Sequence, residues 1–141
     1  MELSRLDNLQ RTAIISTIKN SLEKEENIIF AYLYGSFAEN AHIINDIDIG
    51  VYCRNPDNPF SIQTDLKILI SNRLTEKGIE LSPDDVDIKV INNAPYSIVI
   101  EILERGLPIV DKNPALRAWF IEKISFEYRI NEIILNEVYK L

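Results

Sequence analysis

Two short segments of this chain open alike: D-I-D-I-G-V from Asp46 and D-V-D-I-K-V from Asp85. Apolar and polar residues alternate along both, the mark of a half-buried strand. Between them, Ile62, Leu66, Leu69, Ile70 and Leu74 fall on one side of a helical period, so Phe60–Glu76 reads as a helix. If the two acidic openings lie together, the strands start at the same edge and run parallel. Parallel neighbours require a crossover, and the helix supplies it. The chain is thereby committed to a sheet with a parallel pair and a helix packed across it.

The flanking segments extend this frame. Residues 3–25 carry Leu3, Leu6, Leu9, Ala13, Ile14, Ile18 and Leu22 at helical spacing. Ile28–Tyr34 is a β-prone run, followed by a short helix over Ser36–Asn40 that Ser36 is able to cap. Asp46–Cys53 is the second strand, and Arg54–Pro59 a turn-rich loop. Because Gly35 is only a short connection away from Asp46, the first strand is expected antiparallel to the second. Lys77–Asp85 connects to a third strand, Val86–Ile91. A helix over Tyr96–Arg105 stops at Gly106, and Leu107–Asp111 forms a short edge strand in which Pro108 is tolerated. Pro114 opens a last helix towards the C-terminus. With no repeat or linker, residues 1–141 read as a single α+β domain: a small mixed sheet packed with helices.

Bulk properties narrow the function. The 141 residues are 46% hydrophobic, enough to bury a core, and the formal charge is -7. That field repels a long polyanion, so direct nucleic-acid binding is not expected. No apolar run is long enough for a membrane span, and the polar start MELSRLDNLQ is unlike a signal peptide. A single cysteine, Cys53, lies in an apolar run and reads as a buried reduced thiol. A cytoplasmic protein fits these features.

The acids carry the chemistry. Side chains alternate along a strand, so Asp46 and Asp48 point the same way, their backbones roughly 6.6 Å apart. Carboxylates so placed converge on one cation or flank two cations about 3.5–4 Å apart. Asp87 opens the parallel strand and joins them, with Asp85 in reserve. Gly35 allows close backbone approach, Ser36 adds a hydroxyl, and a helix starting there points N–H groups at an anion. Oxygen ligands with room for substrate phosphates suit Mg²⁺. Asp46, Asp48 and Asp87 are thus candidate metal ligands and Gly35–Ser36 a candidate phosphate grip. In-line attack on phosphorus is the reaction class, with Asp87 placed to accept the nucleophile's proton. Taken singly, D-x-D and Gly–Ser are common turn and strand-start features; the combination is more specific than its parts.

A Gly–Ser pair followed by D-x-D, with a third Asp on a later strand, resembles the nucleotidyltransferase superfamily related to DNA polymerase beta. YGSFA, DIDIGV, VDIKVINNAP and EILERGLPIVD each look like segments of the minimal nucleotidyltransferases (MNT), specifically the MntA-type antitoxins. The resemblance implies a polymerase beta-like fold and Mg²⁺-dependent transfer of AMP from ATP to a tyrosine of a HEPN-domain RNase toxin of the HepT type, in a hetero-oligomer with that toxin. Asp46 and Asp48 would hold Mg²⁺, Asp87 would help activate the tyrosine, and Gly35–Ser36 would bind the triphosphate. The chain departs from the family pattern in places. FAENAHIIN, between Ser36 and Asp46, is one residue shorter than usual, Glu39–Asn40 stand where Arg–Gly is customary, and Asn45 replaces a frequent Ser. Two alternatives follow: a weakened relative that neutralises its toxin by binding alone, or a small-molecule nucleotidyltransferase of the aminoglycoside type. His42 reads as a loop residue, and Lys89 shares the parity of Asp87. The last helix is apolar over a wide arc that includes Trp119, Phe126, Ile130 and Ile134, as a partner surface would be.

Overall fold

The computed structural model describes residues 2–140. Its helices are α1 (Asn8–Glu23), α2 (Gly35–Ala38), α3 (Pro59–Glu76), α4 (Tyr96–Arg105) and α5 (Pro114–Val138), and its strands are β1 (Ile28–Tyr34), β2 (Ile47–Cys53), β3 (Val86–Val90) and β4 (Leu107–Asp111). The strands form one sheet in the order β3-β2-β1-β4. β1 is antiparallel to both β2 and β4, whereas β2 and β3 run parallel. The crossover between β2 and β3 is α3, as the paired acidic openings require.

Strand alternation divides the core between two faces. On one, α1 (Ile14, Ile18, Leu22) and α3 (Leu66, Ile70, Leu74) cover Leu33, Ile49 and Ile88. On the other, Val99 and Ile102 of α4 and Phe120 and Ile124 of α5 cover Phe30 and Tyr32. There the Phe30 ring stacks on Tyr52 with centroids 4.7 Å apart. Arg117 ties α5 to the sheet, donating from Nη1 to the Tyr32 hydroxyl and from Nε to Asp111 Oδ2, each at 2.8 Å. Cys53 is buried, and burial pushes its thiol up to about 11, so it stays protonated.

Several boundaries differ from those the sequence suggests. The N-terminal helix is not continuous over 3–25: a 3₁₀ turn at Leu3–Arg5 precedes α1. Asp7 breaks the run by capping α1. Its Oδ1 accepts from the Gln10 N–H at 2.7 Å, while Gln10 Oε1 accepts from the Asp7 N–H at 3.0 Å. Leu9 is consequently exposed rather than on the apolar face. The helix over Ser36–Asn40 is instead a single turn beginning at Gly35, and Ser36 sits inside it and makes no capping bond. β2 begins at Ile47, leaving Asp46 just outside the ladder, and β3 ends at Val90. Asn58, with φ 56°, caps α3 by accepting from the Ser61 N–H, and Pro59 takes the first helical position. Gly106 ends α4 without a left-handed turn, at φ -75°. Its bare Cα matters because a Cβ would collide with the Ile102 carbonyl and lie 3.3 Å from the Leu33 carbonyl.

Candidate active site

β1 pairs Tyr34 with Asp48, and β2 pairs Asp48 with Asp87. These three residues therefore form a row across the sheet at its edge. Their side chains point to the α4–α5 face, the face to which Tyr32, Gly50 and Ile91 also belong. Gly35 follows Tyr34 with φ 75°. A Cβ there would collide with Asp48 Oδ2, so only glycine lets the β1–α2 turn close over that carboxylate.

The position of α2 is fixed from outside the site. Phe37 is buried, the Arg11 guanidinium lies over its ring at 4.5 Å, and Arg11 Nη2 donates to the Ala38 carbonyl at 3.0 Å. Asn40, at φ 51°, turns the chain out into the exposed loop that holds His42.

Burial of Asp48 is the main cause of its perturbed acidity: the carboxyl is pushed up to about 6. The charges of Asp87 and Asp46 and a side-chain hydrogen bond with Asp87 push the same way, while Lys89 opposes them. The Tyr34 hydroxyl is raised by burial and then by Asp48 and Asp87, which keeps it a neutral phenol. Two carboxyl groups on paired positions of adjacent strands thus share a half-buried edge at a cost in solvation and repulsion.

The candidate residues are not all equally placed. Asp48 and Asp87 are in contact and Gly35 abuts Asp48, whereas Asp46 acts on Asp48 through its charge from outside the strand. Ser36 lies half-buried in the turn of α2. Asp85 is turned away, accepting from the Ser82 N–H at 2.9 Å, and so does not serve as a third acid. Among the described residues no three His, Cys, Asp or Glu side chains lie close enough to hold a metal ion by themselves. The donor set nonetheless fits Mg²⁺, which is commonly held by one or two carboxylates with substrate phosphates and water completing its shell. Charge repulsion between Asp48 and Asp87 is what a cation relieves.

Beside Gly35 opens a cleft of about 210 Å³. Tyr34, Ile98 and Ile102 give it an apolar wall, and Glu39, Glu101 and Arg105 line it with charge. Gly35 is common to both features: its missing side chain makes room for Asp48, and its backbone lines the cleft. Tyr34, Glu101 and Arg105 were not evident from motifs. The signal that finds them is the β1–β4 pairing, which carries the end of α4 to the end of β1.

Solved structures share this fold. A chain of a toxin–antitoxin complex with AMP-PNP is 19% identical with a TM-score of 0.60, the match covering 88% of this chain and 97% of that one. A chain of the MntA–HepT toxin–antitoxin complex is 19% identical at TM-score 0.58, covering 94% and 98%. A chain of the complex of tri-AMPylated Shewanella oneidensis HEPN toxin with MNT antitoxin is 18% identical at TM-score 0.55, covering 94% and 98%. No curated protein matches the chain in sequence. No described helix is long and apolar enough to cross a membrane. The profile of the family described as Polymerase beta, Nucleotidyltransferase matches residues 16–115, which hold the whole sheet together with Gly35, Asp48 and Asp87, and the chain belongs to that nucleotidyltransferase family.

Proposed function

We propose that the protein is an Mg²⁺-dependent adenylyltransferase that acts as an antitoxin in the cytoplasm, transferring AMP from ATP to a tyrosine of a HEPN-domain toxin. The observation that carries this reading is the pairing of Asp48 with Asp87 across β2 and β3 beneath the turn at Gly35, in a chain of the nucleotidyltransferase family. The adenylyl group and the toxin are suggested by solved complexes of the same fold, in one of which the HEPN toxin is tri-AMPylated.

In this reading the tyrosine oxygen forms a bond to the α-phosphorus of ATP. The bond from that phosphorus to the bridging oxygen of the β-phosphate breaks, and pyrophosphate leaves with the electron pair. The tyrosine proton passes to the Asp87 carboxylate. Asp48 and Asp87, with Asp46 beside them, would hold Mg²⁺, which when bound supplies charge neutralisation at the phosphates. Gly35 and Ser36 lie against the triphosphate, where the absence of a side chain at Gly35 permits close approach.

The face that meets the toxin is the outer half of α5. No residue of this helix beyond Ile124 is buried, yet Phe126, Ile130, Ile133, Ile134 and Val138 remain exposed along one side. The test is incubation of the protein with ATP, Mg²⁺ and a co-expressed HEPN toxin, followed by peptide mass spectrometry. One or more AMP units on a toxin tyrosine are expected. An unmodified toxin, with both proteins folded, overturns the enzymatic reading. A second reading, neutralisation by contact alone, draws on Glu39, which places an anion in the cleft beside Gly35. Asp48→Asn separates the two: it abolishes protection if protection is enzymatic and preserves it if contact suffices.

A further inference from the structure

We propose that Arg105 grips the β- and γ-phosphates of the nucleotide and steadies the pyrophosphate as it leaves; this rests on the reading of the site as one for ATP. A triphosphate lying on Gly35–Ser36 needs a cation on the side away from the carboxylates, and the chain from Gly35 to Asp46 contains no Lys or Arg. Among the described residues, Arg11, Lys89 and Arg105 are the cations placed beside α2, the acids or the cleft. Arg11 is committed to Phe37 and the Ala38 carbonyl. Lys89 lies on the carboxylate side and acts on Asp48. Arg105 alone lines the cleft that Gly35 shares, and it is exposed there.

The fold delivers Arg105 to this place. Leu107 pairs with Leu33 across the β1–β4 ladder, so the residue two before Leu107 comes level with the residue two after Leu33. Gly106 makes that approach possible: its N–H donates to the Ile102 carbonyl at 2.8 Å, and any side chain would push α4 away from the end of β1. The guanidinium is also uncommitted. The ion pairs of the described residues use Arg5, Lys19, Arg117, Lys123 and Lys140, and none involves Arg105, even though Glu101 stands one helical turn before it. A planar fork of donors at the mouth of a cleft matches two phosphate oxygens, which a lysine meets only as a point charge.

The experiment is titration of the full chain with ATP and Mg²⁺, for the unaltered protein, Arg105→Gln and Arg105→Lys, with thermal unfolding of each in the absence of nucleotide. Arg105→Gln is expected to weaken ATP binding roughly tenfold or more, with its unfolding midpoint unchanged and Arg105→Lys intermediate in affinity. The proposal is overturned if Arg105→Gln binds ATP as tightly as the unaltered chain, if Lys is no better than Gln, or if the loss accompanies a lowered midpoint. Failure of the unaltered chain to bind ATP overturns the underlying reading as well, whereas normal binding by the unaltered chain and both variants overturns this proposal alone.

Discussion

Asp48→Asn keeps the size of the side chain and removes its charge, so it separates what the carboxylate costs the fold from what it gives the reaction. The carboxyl titrates near 3.8 in the unfolded chain and at about 6 in the folded one. Above about pH 6 it is ionised in both states, and the folded state bears the full penalty of burial and of repulsion by Asp87. Below 3.8 it is protonated in both, and the penalty is gone. The Asp48 contribution to stability therefore falls as pH rises through this window. At about 1.4 kcal/mol per pH unit the whole difference corresponds to ~3 kcal/mol; partial solvent exposure and screening reduce it to ~1 kcal/mol. For a chain of this length, that raises the melting midpoint of Asp48→Asn by about 3–5 °C. Thermal unfolding in a chelating buffer is the assay. The variant is expected to melt higher at about pH 7.5, with the gain vanishing near pH 4, while toxin modification drops on the order of 100-fold or more. A midpoint unchanged or lowered at neutral pH, or a gain that persists undiminished in acid, would refute the account of Asp48 as a strained carboxylate.

Mg²⁺ added to the metal-free protein should raise the melting midpoint of the unaltered chain and leave that of Asp48→Asn in place, which differential scanning fluorimetry checks directly. Gly35→Ala forces a left-handed backbone on alanine, at about 1–2 kcal/mol, and drives a methyl into Asp48; chemical unfolding should show the loss, and transfer of AMP should fall further than stability does. Arg11→Leu removes the hydrogen bond to Ala38 and the cation over Phe37, at about 1–2 kcal/mol by denaturant midpoint; the cost is moderated because Nη1 is buried with no partner and disappears as well. Ile134→Glu places a charge on the exposed face of α5 and should weaken co-purification of a HEPN toxin without changing the protein's own melting midpoint.

The elements fixed by repeating patterns were legible in the sequence. β1, α4 and β4 have the bounds that alternation and helical spacing indicate, and the twin acidic openings indicate a parallel pair joined through α3. Local side-chain competition was harder to see. Leu6 and Leu9 continue a helical spacing, yet Asp7 between them offers the Gln10 N–H a better partner than another helical turn does, and the helix starts there. Ser36 follows a strand as a cap would, but the turn begins one residue earlier because Gly35 accepts a positive φ. In the site, Gly35, Asp48 and Asp87 could be grouped in advance because each belongs to a short motif. Arg105 could not, because its place depends on Leu33 pairing with Leu107, which leaves no local trace; Gly106 reads only as a helix stop, not as the close approach it permits.

Helix α3 separates the two contacting acids along the chain and then delivers them to one edge. The β1–β2 pairing is local in the chain, and of the two acids it carries Asp48 alone. Parallel pairing of β2 with β3 must close a longer loop than the β1–β2 pairing does, and only that pairing brings Asp87 beside Asp48. The electrostatic cost of the site is thus absent from the hairpin alone and is incurred with the β2–β3 pairing. An incompletely folded chain carries neither the cost nor the chemistry. A molecule that has formed its hairpin but not its crossover lacks the paired acids, so the site is assembled only with the β2–β3 pairing.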